Sequence, residues 1–227
     1  MSTPASPETS APQGPVVDVD IVSDVMCPWC IVGYRQLEQA LAATGIGARI
    51  RWHPFELNQE MPPEGQNTAE HIAEKYGASP EQSAQNRKQL TDLGKSLGFD
   101  FNFTPESRIV NSFQAHQLLD FALSQGLQHP LKLALFKAHF TDARDVSDIN
   151  VLVDVAEEVG LDAGPAREAL ETNERADVVR QKENYWMQNG IQGVPTICIG
   201  GKIVLTGAQE ASVYADAIRA SAQIPAV

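Results

Sequence analysis

The tetrapeptide Cys27-Pro28-Trp29-Cys30 stands where an apolar run ends and an amphipathic stretch begins. The run Val16-Val17-Asp18-Val19-Asp20-Ile21-Val22 reads as a buried strand, and Ile31 to Ala43 continues a helix that opens at Pro28. In this setting the cysteines are i and i+3 on a first helical turn, roughly 5–6 Å apart, a separation that suits a disulfide. Pro28 fits the first helical position, where its missing N–H and fixed φ cost nothing. Cys27 then falls at the N-cap, facing the unpaired N–H groups of Trp29 and Cys30. Those donors and the positive helix end predict a lowered pKa and a nucleophilic thiolate at Cys27, with Cys30 as the more buried resolving thiol.

A zinc site would need four ligands, commonly in two pairs. The third and last cysteine, Cys198, is far downstream, and His53 has no ligand partner close in sequence. A redox dithiol with no metal is therefore the expectation.

Length and composition narrow the setting. The 227 residues suffice for one large domain or two small ones, and no apolar run approaches a membrane span. A net charge of −12 argues against nucleic acid or an anionic membrane as partner, since both attract basic surfaces. Met1 to Pro15 is rich in Ser, Pro, Ala and Thr, and the first basic residue is Arg35. This segment, 1–15, reads as a disordered tail rather than a secretory or organellar leader. A cytoplasmic location is expected, and there a catalytic dithiol is a more usual use of Cys-x-x-Cys than a structural disulfide.

Gly47 to Phe55 alternates as a second strand, closing a βαβ unit over 16–61 with the dithiol at the carboxyl end of its first strand. From 62 to 189 the pattern turns helical. Ser79-Pro80-Glu81-Gln82 is a capping box with proline at N1, opening a helix that stops at Gly98. Further helices are predicted over Arg108–Gln125, Leu131–Phe140, Asp148–Val159, Ala163–Thr172 and Asn173–Gln188. In the last segment, 190–227, Val194–Ile199 and Lys202–Thr206 read as a hairpin about Gly200-Gly201, followed by a helix from Gln209 to Ala222.

Two stretches, Ser23-Asp24-Val25-Met26-Cys27-Pro28-Trp29-Cys30-Ile31-Val32-Gly33 and Gly193-Val194-Pro195-Thr196 through Gly200-Gly201-Lys202 to Gly207-Ala208-Gln209, resemble the thioredoxin superfamily. More narrowly they look like its DsbA-type branch, and within it the FrnE-like cytoplasmic oxidoreductases. Ala115-His116-Gln117-Leu118 and the Asp145-Val146-Ser147-Asp148 turn also resemble this group. The resemblance implies an α/β, thioredoxin-like fold with an inserted all-helical domain. It also implies that Pro195 is a cis-proline packed against the dithiol, and that Val194 offers backbone groups to an extended substrate. Pro28, Trp29 and Val194 would contact substrate, while Cys27, Cys30 and Pro195 would form the catalytic set. Protein or small-molecule thiols and disulfides are the implied substrates. The dithiol itself would replace any cofactor, with glutathione as a conceivable redox partner.

Several residues leave two readings open. Asp24 could assist proton transfer or cap the turn, and short acids before helices more often serve backbone donors. Trp29 could meet substrate or pack over the inserted helices. Cys198 reads as a small core residue and His116 as a packed histidine. Trp186 and Tyr185 are expected to pack the insert onto the sheet. Kappa-class glutathione transferases and chromene-carboxylate isomerases share the fold but typically carry serine at the nucleophile position. Retention of both cysteines favours redox chemistry over those activities; a non-enzymatic, chaperone-like partner-binding role for the helical block stays open, and whether Cys27→Ser abolishes all function or only disulfide transfer discriminates it.

Overall fold

A computed structural model describes residues 15–223. The expected tail lies outside these residues except for Pro15, as do the last four residues of the final segment. The first unit is β1 (Val16–Ser23), α1 (Pro28–Thr44) and β2 (Gly47–Pro54). The middle of the chain supplies β3 (Gln66–Asn67), α2 (Thr68–Tyr76), α3 (Pro80–Ser96), β4 (Arg108–Ile109), α4 (Phe113–Leu123), α5 (Gln128–Phe140), α6 (Ile149–Glu158), α7 (Ala163–Glu171) and α8 (Ala176–Gln188). The chain closes with β5 (Thr196–Ile199), β6 (Ile203–Thr206) and α9 (Ala211–Ala222).

The main sheet has the order β2-β1-β5-β6, with β1 parallel to β2 and antiparallel to β5. Alternation along β1 sets its two faces. Val17, Val19 and Ile21 enter a core with Leu37 of α1 and Tyr214 and Ile218 of α9. Asp18 and Asp20, on the other face, meet the β2 side chains beside them. Asp18 takes a two-pronged bond from Arg49 (2.9 and 3.0 Å), and Asp20 accepts from Arg51 (3.1 Å) and lies 2.8 Å from His53. β1 is thus buried on one face and charge-laddered on the other. Trp186 of α8 covers the His53 ring (centroids 4.7 Å apart), whereas Tyr185 is 59 % exposed and does not pack the insert down.

Helix boundaries follow their chemistry. α1 stops at Gly45, whose φ of 67° places it in the left-handed region open to glycine. The capping box of α3 is formed: Ser79 Oγ accepts from the Gln82 N–H, and Gln82 Oε1 accepts from the Ser79 N–H. Two features differ from the sequence expectation. The insert is not wholly helical, because Gln66–Asn67 pairs antiparallel with Arg108–Ile109. α4 accordingly begins only at Phe113, whose N–H is taken by Asn111 Oδ1 at 2.9 Å.

The helical insert has its own core of α4, α5, α6 and α7, including Leu118, Leu135, Leu152 and Leu170. Val25 and Met26 belong to that second core, while Cys27 and Cys30 belong to the first. The dithiol loop therefore runs across the junction of the two. A second tie is made by Arg180 of α8, which bonds both Glu56 and Glu183 and stacks 3.8 Å above the Phe113 ring. Burial, and then the nearby Glu183 carboxylate, raise Glu56 to about 7 despite Arg180. A carboxyl raised on folding costs stability once ionised, so stability falls as pH rises from the ordinary carboxylate range through about 7. Glu56→Gln should therefore gain stability over the native protein at pH 8 and gain little at pH 5, read from urea midpoints. An equal change at both pH values would contradict the assignment.

Candidate active site

Cys27 is the N-cap of α1, with extended φ/ψ of −94° and 109°, and Pro28 begins the helix. The tight turn before it is held by Asp24, whose carbonyl accepts from the Cys27 N–H at 3.2 Å. Asp24 is itself only 1 % exposed. Its Oδ1 accepts from the Met26 N–H (3.1 Å), its Oδ2 from the Leu57 N–H (2.7 Å), and His116 Nε2 lies 3.6 Å from Oδ1. Asp24 is thus a buried clamp between the turn, the segment after β2 and α4. His116, 3 % exposed, is packed as expected.

Beside the dithiol, the Val194–Pro195 bond is cis and the Val194 carbonyl lies 3.6 Å from Cys27 Sγ. α1 approaches this loop closely because residue 33 has no side chain. A Cβ on Gly33 would stand 3.3 Å from Pro195 Cγ and 3.4 Å from the Tyr214 hydroxyl. The structure therefore brings Cys27, Cys30, Pro28, Trp29, Val194 and Pro195 to one place. Cys198 is set apart from them. It sits opposite Asp20 in the sheet and is only partly buried, whereas Ile197 and Ile199 take the core positions, so it is not the core residue expected. Burial, then the Asp20 charge, raise its thiol above the ordinary range.

The ionisation of the pair differs from the sequence expectation. Cys27 makes no side-chain cap hydrogen bond, and the Cys30 N–H goes to the Cys27 carbonyl at 3.0 Å. The Cys27 sulfur instead points to Val194 and Cys30. Its hydrogen bond to Cys30, followed by burial, pushes its pKa well above the ordinary thiol value. Burial also opposes charge on Cys30. There, hydrogen bonds from Cys27 and Ser23 and the positive charge of Lys132 prevail, and its pKa is lowered. Ionisation of the reduced pair is thus favoured at Cys30 over Cys27. The dipole argument placed the charge three positions too early: the Cys30 N–H does favour ionised Cys27, but the bond to Cys30 and burial outweigh it.

Access separates the two sulfurs in the other direction. Cys27, Pro28, Trp29 and Val194 line a cavity of about 660 Å³, and Cys30, fully buried, does not. Trp29 is 47 % exposed at this cavity rather than packed over the inserted helices. The walls come from α2, α3, the Phe103–Val110 segment and the end of α5, with Tyr76, Leu90, Phe103 and Phe140 giving an apolar lining. Arg87, Arg108 and Arg144 add positive charge. Arg108 is spent on the Glu64 and Gly65 carbonyls and Arg144 on Asp154 and Glu158. Arg87, half-buried, is in no ion pair among the described residues.

Sequence reasoning missed this cavity and missed Lys132. The first is assembled from segments far apart in the chain. The second carried a signal: Lys132, Phe136 and Phe140 are spaced i, i+4, i+8 and share one helical stripe.

A parallel-antiparallel sheet with a Cys-x-x-Cys at the first helix start, facing a cis-proline loop, defines a thioredoxin-like dithiol protein. The model of the DSBA-like thioredoxin domain matches residues 18–219, and the chain belongs to that family. It is similar to an uncharacterized protein, YwbO, of Bacillus subtilis (strain 168), at 29 % identity over 203 residues, covering 89 % of this chain and 96 % of that one. Among solved structures, a probable DsbA oxidoreductase from Streptomyces coelicolor, SCO1869, superposes with a TM-score of 0.86 at 30 % identity, covering 93 % of this chain and 92 % of its own. The cytosolic disulfide reductase DsbM from Pseudomonas aeruginosa with GSH shares the fold at a TM-score of 0.58 and 17 % identity, over 89 % and 96 % of the two chains. Among the described residues no helix is long and apolar enough to cross a membrane.

Proposed function

We propose that the chain is an FrnE-like thiol–disulfide oxidoreductase that exchanges disulfides between Cys27–Cys30 and protein or small-molecule substrates in the cytoplasm. The observation that carries this reading is that Cys27 alone of the pair faces the cavity, with its sulfur beside the Val194 carbonyl of the cis-proline loop. A substrate disulfide R–S–S–R′ entering the cavity meets the Cys27 sulfur. As that sulfur attacks, its proton passes to the Cys30 thiolate, the R–S–S–R′ bond breaks, and Cys27–S–S–R forms with release of R′S⁻. Cys30 then gives its proton to R′S⁻ and attacks Cys27. RS⁻ departs and the Cys27–Cys30 disulfide closes, so the pair is oxidised by two electrons and the substrate reduced by two. Run in reverse, the same steps oxidise a substrate dithiol.

The cavity favours glutathione as a second substrate or redox partner. Its volume lies within the roughly 300–1,000 Å³ of small-molecule sites, and Arg87 leaves a guanidinium for a substrate carboxylate. The cytosolic disulfide reductase DsbM with GSH, of the same fold, supports that direction and the cytoplasmic setting. The test uses Cys30→Ser, which lacks the resolving sulfur. Incubated with glutathione disulfide or a disulfide-bonded peptide and quenched in acid, it should carry one adduct, mapped by mass spectrometry to Cys27. Adducts spread evenly over Cys27 and Cys198 would mean the cavity does not direct the chemistry.

A further inference from the structure

We propose that the cavity beside Cys27 is built for a small-molecule disulfide with one apolar, ring-bearing half, and that α2 is the element that selects that half. This rests on the exchange reading of the dithiol and names the substrate class of the same site. From α2 the cavity is lined by Thr68, His71, Ile72 and Tyr76, which recur at helical spacing and share one face. Yet α2 buries no residue, and Tyr76 is left 65 % exposed. A helix whose apolar face covers no core gains little from packing. Polar contacts hold it instead. Asn67 Oδ1 accepts from the Ala69 N–H at 2.9 Å, and Lys75 Nζ donates to the Leu57 carbonyl (2.8 Å) and to Asn58 Oδ1 (2.6 Å). Leu57 and Asn58 line the cavity too, so these bonds fix the α2 face at its edge.

A second wall comes from α3, where Ser83, Asn86, Arg87 and Leu90 again share one helical face. Phe103 and Phe140 complete the apolar part, edge to face with centroids 6.2 Å apart. Rings arranged in this way take a further ring by offset or edge contact. Arg87 and Leu90 are three residues apart, about 4.5 Å along the helix axis. One helix thus offers a guanidinium without an ion pair among the described residues and, beside it, an apolar side chain. Of the acids on the wall, Asp145 already accepts from the Ser147 N–H and hydroxyl.

Glutathione brings a carboxylate for Arg87 but nothing for Ile72, Tyr76, Leu90 and the two phenylalanines. A mixed disulfide of glutathione with an apolar thiol, R–S–S–G, answers both. Cys27 bonds to one of its sulfurs and the other leaves as a thiolate. Cys30 then closes the Cys27–Cys30 disulfide and releases the second, so the substrate gains two electrons as RSH and GSH and the dithiol loses two. Two further molecules of glutathione re-reduce the pair and leave as glutathione disulfide.

The experiment measures kcat/KM of the full-length protein, with glutathione as reductant, on two mixed disulfides of glutathione. One carries benzyl mercaptan and the other 2-mercaptoethanol, thiols of similar acidity, so the probes differ mainly in their apolar body. The benzyl compound should be favoured by about tenfold or more, the scale of discrimination by an apolar pocket. Tyr76→Ser and Ile72→Asn, on a helix that buries nothing, should each lower that ratio several-fold, while Tyr185→Ser, an exposed ring outside the cavity, should leave it unchanged. Equal kcat/KM for the two probes would overturn the inference and leave the exchange reading intact, whereas no exchange with either would overturn both. A preference that survives both α2 substitutions would also overturn it. So would faster turnover of a disulfide-bonded peptide carrying phenylalanine, since the cavity would then serve a peptide side chain.

Discussion

Cys27→Ser should lower disulfide exchange with any substrate by about 10³-fold or more, the order of loss when a covalent nucleophile is removed. The hydroxyl cannot form the mixed disulfide, and the Cys30 sulfur is too deeply buried to replace it. Turnover of a protein disulfide and of glutathione disulfide should fall together, because both reach the pair through the cavity that Cys27 lines. The melting curve should change little, since serine retains a donor toward the Val194 carbonyl. Exchange that persists above the uncatalysed rate would mean that another sulfur attacks.

Asp24→Leu carries the largest expected effect on stability. The substitution strands the Met26 and Leu57 N–H groups and removes the anion facing His116, all in the interior. Breaking a buried, hydrogen-bonded charge in this way costs about 3–5 kcal/mol, which lowers the melting temperature by roughly 10 °C in a domain of this size. Burial opposes the Asp24 charge, but His116 and the two N–H groups outweigh it and hold the carboxyl below its ordinary range. The sign follows: its contribution is complete above the unfolded carboxylate value and is lost as pH falls through the lowered folded value. The stability difference between the native protein and Asp24→Leu should therefore shrink in strong acid. A difference that holds constant to low pH would contradict the ionised clamp.

Much of the frame that carries the site was legible in the residues. β1, α1, β2 and the terminal hairpin each combine a hydrophobic period with local stop chemistry, such as Gly45 after α1 and Gly200-Gly201 between β5 and β6. α3 was equally plain because Ser79 and Gln82 satisfy one another's backbone. α2 escaped notice for a physical reason: it buries no residue, so no apolar stripe marks it. The β3–β4 ladder is two residues on each side and joins positions some forty apart, so no local pattern announces it. Ile109 and Phe113 share helical spacing, yet that ladder holds Ile109 out of α4.

At the site, residue identity was more legible than charge. The positions of Cys27, Pro28 and Pro195 follow from local backbone chemistry and the shared motif. Which sulfur ionises depends on contacts that cross the fold: Val194 from the far end of the chain, and Lys132 from the insert. Glu56 and Arg180 are 124 residues apart and carried no joint signal.

The most direct test of the dithiol account is an equilibrium titration of the native protein across glutathione redox buffers, quenched with an alkylating agent and mapped by mass spectrometry. The account predicts that Cys27 and Cys30 lose alkylation together in a single two-electron transition while Cys198 remains a thiol throughout. Independent oxidation of Cys27 and Cys30, or a disulfide that includes Cys198, would contradict it.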